Sequence, residues 1–287
     1  MPESYRYRES LKSDHSDELI NTYLLRPLAG ILVFALYRTP VTPNHVTVAS
    51  IVAGLAAAGF YATGDSVVTA GLLVTLKDLL DSADGQLARA KQQFSRRGRF
   101  LDSIGDMLVG LAVFSGIGWT LVQSSGDPLF LVWSILAFAS MTFRISYHVF
   151  YHTSYLHLKG SYQTNRLVEE ITDVDREGDK VTLHLHQIFQ ILYGWQDRLI
   201  LKIDSWCRRG RMDEDFRQRW YGNRLGLLLS GFLGIGTELF LLMLFSVAGH
   251  LGWYLGFNIV VMNGILAVSI FYRRIHLAGK WDTEKAD

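Results

Sequence analysis

Long apolar stretches alternate along the chain with segments rich in Arg, Lys, Asp and Glu. A helix needs about 20 predominantly apolar residues to cross the hydrocarbon core of a bilayer. Six stretches have this character and are predicted to span a membrane: 45–63, 66–90, 98–123, 129–152, 223–248 and 252–273. The pattern therefore predicts an all-α integral membrane protein with six transmembrane helices.

The apolar segment 18–38 precedes the first predicted span and is interrupted by Arg26 and Pro27. We interpret it as an N-terminal juxtamembrane amphipathic helix that lies partly in the membrane interface and ends at the turn TPVTPN. The alternative, a seventh span over residues 27–38, is too short to cross the bilayer.

Segment 153–222 is too polar to cross a membrane, but it contains the sequence HQIFQILYGWQDRLILKIDSWC. Its apolar residues recur at helical spacing, which predicts an amphipathic helix on the cytoplasmic face. These residues are Ile188, Phe189, Leu192, Trp195, Leu199, Ile203 and Trp206. The pattern leaves open whether the helix rests on lipid or on the bundle.

Loop charge predicts the orientation. The connections near 61–66, 123–129 and 248–253 contain no Lys or Arg, whereas the loop 90–97, segment 153–222 and the C-terminal tail are rich in both. Lys and Arg concentrate in cytoplasmic loops, so both termini and the loop 90–97 are predicted to face the cytoplasm.

The predicted spans divide the chain into five parts. These are a cytoplasmic N-terminus with its juxtamembrane helix at 1–44, four spans at 45–152, a cytoplasmic insertion at 153–222, two spans at 223–273 and a tail at 274–287. The composition agrees with a membrane protein, because the 287 residues are 49% hydrophobic and their formal net charge is only +1. The single cysteine, Cys207, excludes an intrachain disulfide.

Four aspartates interrupt this apolar pattern. Asp81 and Asp84 lie on one face near the end of the second predicted span, and Asp102 and Asp106 form an i, i+4 pair at the start of the third. All four lie within about two to three helical turns of the ends that the loop 90–97 joins, so they are predicted to share one cytoplasmic pocket.

Such a group of carboxylates is costly unless its charge is offset. Oxygen-rich anionic sites suit hard divalent cations, and Mg²⁺ often shares its coordination sphere with a substrate phosphate. Gly85 and Ala88 lie on the same helix face and leave a groove for a flat ligand. The residues alone also allow a proton or ion pathway, or structural ion pairs with nearby bases such as Lys77.

The pattern Asp81-x-x-Asp84-Gly85-x-x-Ala88-Arg89, eight residues, then Gly98-x-x-x-Asp102-x-x-x-Asp106 resembles the signature of the CDP-alcohol phosphotransferase family at every defined position. The six-helix layout, the juxtamembrane helix and the TPN element before the first span resemble the family as well. Segment 153–222 is longer than the corresponding connection in the family.

The resemblance implies roles for individual residues. Asp81, Asp84 and Asp102 would hold a divalent metal, Mg²⁺ or Mn²⁺, and Asp106 would be the catalytic base with a further contact to the metal. Gly85 and Ala88 would form the floor of a cytidine pocket, and Arg89 would orient that pocket or contact phosphate. The resemblance further implies a homodimer.

The start of the first span supplies two further candidates. Asn44 and Thr47 either line the nucleotide pocket or cap that helix. Elsewhere, Arg144 in the fourth span either faces the interior and binds an acceptor phosphate or extends to the interface. Glu238 in the fifth span is either a further functional charge of this kind or lies near the outer boundary.

The function that the resemblance implies is a membrane transferase of phospholipid biosynthesis. It would move a substituted phosphoryl group, expected to be phosphatidyl, from a CDP-linked alcohol such as CDP-diacylglycerol to a second alcohol and release CMP. Alternatively, a CDP-linked polar head group is donated to diacylglycerol or to a polar alcohol such as an inositol phosphate. A different class, an ion or proton transporter, is disfavoured because the carboxylates cluster at one end of the spans rather than at the midplane. No nucleic-acid partner is expected.

Overall fold

The computed structural model describes residues 6–11, 18–160 and 171–279, and every regular element within these ranges is a helix. The predicted parts 1–44, 153–222 and 274–287 therefore each include positions outside the described residues. The helices are α1 Tyr7–Ser10, α2 Asn21–Leu36, α3 Pro43–Thr63, α4 Val67–Ala90, α5 Arg96–Ser125, α6 Leu129–Leu158, α7 Asp173–Glu177, α8 Lys180–Arg208, α9 Glu214–Tyr221, α10 Arg224–Gly231, α11 Ile235–Val247 and α12 Leu251–Leu277.

Four of the described helices, α3, α5, α6 and α12, are long and apolar enough to cross a membrane. The helices α10 and α11 meet at a 40° bend and count as a fifth candidate if they form one broken span. The predicted span 66–90 is present as the 24-residue helix α4, but its charged residues keep it out of this apolar set. The chain thus has the character of a multi-pass helical membrane protein with four to five apolar spans.

Small residues allow the first helices to pack closely. A Cβ atom on Gly54 of α3 would lie within van der Waals overlap of Val109 on α5, and one on Gly105 of α5 would lie 2.6 Å from Ile51 of α3. A Cβ on Gly116 would lie 2.8 Å from the backbone oxygen of Ala58. Close backbone approach through glycine is a common packing mode of helices in membranes.

Short capped connections join α3 to α4 and α4 to α5, and α3 packs against both of the other helices. The side chain of Thr42 accepts from the backbone N–H of His45 at the start of α3, and Ser66 and Ser95 cap α4 and α5 in the same way. α3 ends at Gly64, whose φ of +71° is readily adopted by glycine. The loop 91–95 is therefore short enough to place the ends of α4 and α5 side by side.

Segment 18–38 contains the predicted helix, but the structure does not give it an amphipathic character. α2 packs on α4 and buries Ala29 and Val33, whereas Ile31 and Phe34 on its outward face are each 68% exposed. The outward face carries large hydrophobic side chains instead of charges, so both faces of α2 are apolar.

The insertion contains a longer helix than the sequence pattern predicts. α8 spans 29 residues and packs on α5 and α6. Its inward face is mixed and buries His186, Gln196 and Asp204 together with Ile200 and Cys207, whereas Trp195 and Trp206 of the predicted apolar stripe point outward. Phe189 of that stripe packs against Phe100 of α5, so the apolar periodicity marks the bundle contact only in part. The burial of Asp204 is explained by its partners, since its carboxylate accepts hydrogen bonds from Tyr151, Trp220 and Tyr221.

Candidate active site

Three of the four aspartates converge where α4 meets α5. One carboxylate oxygen each from Asp81, Asp102 and Asp106 lies within 4.8 Å of the other two, and all three residues are partly buried. Asp102 and Asp106 are one turn apart on α5, and α3 packs against both α4 and α5, which holds the carboxylate-bearing ends of these two helices near each other.

A lysine lies inside this group. The Lys77 ammonium forms an ion pair with Asp106 and lies 3.8 Å from Oδ1 of Asp81, one turn away on the same helix. Lys77 itself is only 4% exposed. The i, i+4 pairing with Asp81 follows from the sequence, whereas the closer contact to Asp106 depends on how α4 and α5 are arranged around α3.

Asp84 lies beside the close group rather than within it. Its Oδ2 accepts a hydrogen bond of 2.6 Å from the Thr47 hydroxyl of α3. Thr42 is the N-cap of α3, so Asn44 and Thr47 do not cap that helix. The Asn44 side chain approaches Gly98, where an added Cβ would lie 3.1 Å from its Oδ1. Both residues therefore lie near the signature residues of α4 and α5.

Gly85 has room for a small side chain. The three described atoms nearest to an added Cβ all belong to the Arg89 guanidinium, at 3.5 to 3.9 Å, which is ordinary van der Waals contact. Arg89 is held in place because its Nε donates to the backbone oxygen of Ser10 in α1 at 2.5 Å. Ala88, on the same face of α4, is partly buried. Helix packing does not require a glycine at position 85. A ligand-binding surface at this position would require one, because a side chain there would occupy the space of the ligand.

The donor set fits a hard divalent cation. Carboxylate oxygens are the preferred ligands of such ions, and Asp81, Asp102 and Asp106 present three of them at short range. Oδ1 of Asp81 is buried and accepts no hydrogen bond from the described residues. Lys77 is the only base in the described part of the chain that forms an ion pair with any of the four aspartates. A metal ion would supply the missing positive charge.

A cavity of about 360 Å³ opens next to Asp106, between α5, α6 and α8. Its lining includes the apolar residues Met107, Phe138, Met141, Ile145 and Val149 and the polar residues Arg99, Ser103, Thr142, Tyr193 and Asp197. The Tyr193 hydroxyl donates to the backbone oxygen of Ser103 at 2.8 Å. The sequence does not identify Tyr193 and Asp197 as residues of this cavity. The helical period of α8 can be read from the sequence, but the helices against which α8 packs cannot.

Arg144 and Glu238 do not join the site. Both are fully buried, and the Arg144 guanidinium donates to Glu238 in the bundle interior. Arg144 therefore faces the interior, as one of the two alternatives proposed, but its partner is a carboxylate of the chain itself. Glu238 likewise faces the bundle interior, where Arg144 pairs with it.

The fold and site define a helical membrane protein with an acidic, metal-compatible pocket. Residues 40–168 match the family model described as CDP-alcohol phosphatidyltransferase. Residues 40–168 are thus similar to the CDP-alcohol phosphatidyltransferase family, as the resemblance of the signature 81–106 predicts.

Curated relatives agree with this assignment. The chain is 32% identical over 122 residues to a phosphatidylinositol phosphate synthase of Mycobacteroides abscessus, which is 41% of this chain and 54% of that protein. It is 36% identical over 78 residues to an archaetidylinositol phosphate synthase of Pyrococcus horikoshii, 27% of this chain and 40% of that protein. It is 33% identical over 97 residues to a bifunctional IPC transferase and DIPP synthase of Thermococcus kodakarensis, 34% of this chain and 21% of that protein. The chain thus aligns with about a fifth to a half of the length of these relatives.

Proposed function

We propose that this protein is a membrane transferase that moves a phosphatidyl group from a CDP-linked lipid such as CDP-diacylglycerol to the hydroxyl of a second alcohol and releases CMP. One observation carries the proposal: the convergence of Asp81, Asp102 and Asp106 beside the open surface at Gly85. The family match of residues 40–168 supports it, and so do two relatives whose names denote synthases of phosphatidyl- and archaetidyl-inositol phosphates.

Asp81, Asp84 and Asp102, with Asp106 as a further ligand, would hold Mg²⁺ or Mn²⁺. When bound, such an ion offsets the negative charge of the diphosphate and stabilises the departing oxygen. Lys77 adds a fixed positive charge within the same group.

The nucleotide would lie against α4 on the side of α3. Gly85 and Ala88 leave room for the cytidine ring, and Asn44 and Thr47 border the same region from α3. Arg89, held by the Ser10 carbonyl, would orient this surface. These contacts would fix the donor so that its diphosphate reaches the carboxylates.

Asp106 would act as the base. The acceptor oxygen forms a bond to the phosphorus that carries the lipid alcohol, and the bond from that phosphorus to the bridging oxygen breaks. CMP leaves with this electron pair, and the acceptor's proton passes to Asp106. The Lys77 ammonium favours the ionised carboxylate, which is the form that accepts a proton.

The membrane arrangement that we propose has six spans. They are the four apolar helices α3, α5, α6 and α12, the helix α4 and the bent pair α10–α11. α4 packs against α2, α3 and α11, and α2 and α3 cover part of its charged end. Loop charge supports cytoplasmic termini and a cytoplasmic opening of the site. The same proposal includes the five-part division of the chain, the interfacial location of α2 and a homodimer.

The experiment is an assay of the purified protein with CDP-diacylglycerol, Mg²⁺ and a panel of alcohols, in which CMP and the lipid product are measured by mass spectrometry. We expect equimolar CMP and a new phosphatidyl lipid from the wild type and neither from Asp106→Asn. A product formed only from CDP-linked head groups and diacylglycerol would reverse the direction of transfer. Metal-dependent ion flux without CMP would replace the transferase with a transporter.

A further inference from the structure

The outward side of α8 carries two surfaces of different chemistry. Large apolar side chains that are 41% to 49% exposed recur at intervals of seven, seven, four and seven residues, which keeps them in one row along the helix. This outward row consists of Val181, Ile188, Trp195, Leu199 and Trp206. Three exposed polar residues each precede a member of the row by one position, which places them about 100° away around the helix. They are Gln187, Arg198 and Ser205.

The third side of α8 is buried against the bundle and includes Gln196, Ile200, Asp204 and Cys207. The helix therefore has a protein-facing side, an apolar outward side and a polar outward side. A helix that lies at a membrane surface beside transmembrane helices meets protein, hydrocarbon and water on three sides. α8 itself is not among the described helices that are apolar enough to cross a membrane.

α8 crosses three spans close to their ends. Its Tyr193 hydroxyl donates to the Ser103 carbonyl of α5 at 2.8 Å, and the Tyr151 hydroxyl of α6 donates to a carboxylate of α8 at 2.9 Å. Arg274 of α12 donates to the Trp206 carbonyl at 2.6 Å. Ser103, Tyr151 and Arg274 each lie within about two turns of an end of their helix. In the proposed orientation these ends are cytoplasmic, so α8 lies at the level of the cytoplasmic membrane interface.

The exposed charges of α8 are all positive. Lys180, Arg198 and Lys202 are exposed, whereas its acidic residues Asp197 and Asp204 are partly or fully buried. Lys and Arg beside the cytoplasmic leaflet are attracted to the phosphates of anionic lipids. The charge of this helix therefore complements an anionic lipid surface.

The outward row also joins an exposed apolar side of α12. Phe271 and Ile275, near the end of that span, are 54% and 59% exposed and lie one turn apart on one side of the helix. Arg274 is next to Ile275, and its guanidinium stacks over the Trp206 ring at 3.6 Å. An apolar surface thus continues onto α8 from a helix that is apolar enough to cross the membrane. Acyl chains that cover the first surface would reach the second.

From these observations, we propose that the outward row of α8 lies in the cytoplasmic leaflet of the bilayer that the chain spans. Acyl chains contact its apolar residues, and anionic headgroups lie beside Lys180, Arg198 and Lys202. The inference rests on the proposed orientation of the spans and is independent of the transfer reaction. It gives the insertion a role, because α8 lies outside the segment 40–168 that matches the family model and packs on the start of α5.

A second copy of the chain fits this surface less well than lipid does. A two-fold contact places the same face of both copies together. The exposed Lys and Arg side chains of one α8 would then lie close to those of the other, without an exposed acidic residue of α8 to offset them.

The test measures whether neighbouring positions of α8 face hydrocarbon or water. Single cysteines are introduced into the full chain as Ile188→Cys or Leu199→Cys, and as Gln187→Cys or Arg198→Cys for comparison. Each is labelled with a nitroxide in nanodiscs of phosphatidylcholine and phosphatidylglycerol. Collisions with oxygen, which concentrates in hydrocarbon, are compared with collisions with a water-soluble nickel complex. We expect the oxygen-to-nickel ratio to be at least about threefold higher at 188 than at 187, and at 199 than at 198.

The labelled wild type is the background control, since its single Cys207 is buried. The two neighbouring pairs are independent, so one pair remains if a variant of the other does not fold. In nanodiscs without phosphatidylglycerol, the ratio at Leu199→Cys should fall, because the attraction of the basic residues is lost. An unchanged ratio there would overturn the assignment of these residues to anionic headgroups.

The outcomes distinguish lipid from the other occupants of the surface. Equal ratios within both pairs, at the level of a water-exposed label, overturn the inference. Low collision rates with both reagents at 188 and 199, together with spin–spin broadening between labels, would assign the outward row to a second copy of the chain instead. CMP release from CDP-diacylglycerol is measured on the same samples, and its absence in the wild type would overturn the transferase while the accessibility result stands.

Discussion

Two buried polar groups lie within the helical bundle, and they are built in opposite ways. At the first, four aspartates of α4 and α5 are accompanied by a single paired base, Lys77. At the second, Arg144 of α6 and Glu238 of α11 are both 0% exposed and pair with each other. Asn258 donates to the second oxygen of Glu238 at 2.9 Å, and Asn263 accepts from Arg144 at 3.0 Å.

The difference distinguishes a structural group from a binding site. A buried ion pair is tolerated when both charges are matched and further hydrogen bonds satisfy the remaining atoms, and the Arg144–Glu238 group meets this condition. The aspartate group does not, because negative charge is in excess and Oδ1 of Asp81 lacks a donor among the described residues. Carboxylates that are left in excess in this way are expected to be completed by a ligand.

The largest expected effect is on catalysis. Asp102→Asn removes one proposed metal ligand, and we expect CMP release to fall by at least about 100-fold, the upper end of what is lost when a supporting residue of a metal site is removed. The same variant should be as stable as the wild type or more stable in the absence of divalent ions, because repulsion among the carboxylates is reduced. Assay rates and thermal unfolding in detergent with EDTA measure the two effects.

Asp65→Asn is a matched control, since Asp65 is exposed in the connection between α3 and α4. If Asp102→Asn unfolds at a much lower temperature without metal and retains its turnover, the aspartates are a structural group like the second one.

The next effect is on stability. Glu238→Gln leaves the Arg144 guanidinium buried without a counter-charge, which costs about 3–5 kcal/mol when a buried pair is broken. The free energy of unfolding should fall by that amount, while turnover per folded molecule stays near the wild-type value.

The double variant Arg144→Met/Glu238→Leu replaces both charges with apolar side chains and should recover most of the loss. An unfolding temperature of Glu238→Gln equal to that of the wild type would show that the pair contributes little.

A smaller effect is predicted at the proposed nucleotide surface. Gly85→Ala adds one methyl group whose three nearest described atoms belong to Arg89 at ordinary van der Waals distance, so folding should be unaffected. The methyl group would occupy ligand space, and a single methyl-sized change in a fitted pocket alters kcat/KM by about tenfold or more. Gly264→Ala is the control, since an added Cβ there has no described neighbour within 4 Å. Equal donor kinetics in both variants would remove Gly85 from the pocket.

The smallest effect concerns a contact outside both groups. Arg96, at the start of α5, forms an ion pair with Asp175 of α7, and hydrogen bonds from Arg96 and the Thr172 backbone lower the pKa of Asp175. A carboxylate with a lowered pKa stabilises the fold above its unfolded pKa, about 3.9, and this stabilisation is lost as the pH falls through the folded value.

Asp175→Asn should therefore lower stability by no more than about 1 kcal/mol at pH 7, and its difference from the wild type should shrink towards pH 3. Unfolding temperatures at the two pH values measure this. A difference that grows on acidification would assign the opposite sign to the contact.

The sequence predicts the five helices α2 to α6 because each is encoded locally. Apolar length marks α3, α5 and α6, and the spacing of Asp81, Asp84, Asp102 and Asp106 is enough to predict that carboxylates from two helices meet. The signature also identifies Gly85, whose open surroundings have no explanation in helix packing.

The features that the sequence does not predict depend on distant partners. The span 223–248 is broken between α10 and α11, where the Glu18 carboxylate accepts from the Thr237 backbone N–H at 3.0 Å. A Cβ on Gly236 would lie 2.7 Å from Glu18, so the glycines of GFLGIG make room for a residue more than 200 positions away. This glycine-rich motif is a local signal for the break, but Glu18 as its partner is not locally encoded.

The most direct measurement of the central claim is the binding of CDP to the purified protein by equilibrium titration, with Mg²⁺ and again with EDTA. We expect saturable binding with Mg²⁺, which is lost in EDTA and in Asp102→Asn but retained in Asp65→Asn. Equal affinity with EDTA, or in Asp102→Asn, would contradict the claim that Asp81, Asp102 and Asp106 hold the cation that binds the nucleotide.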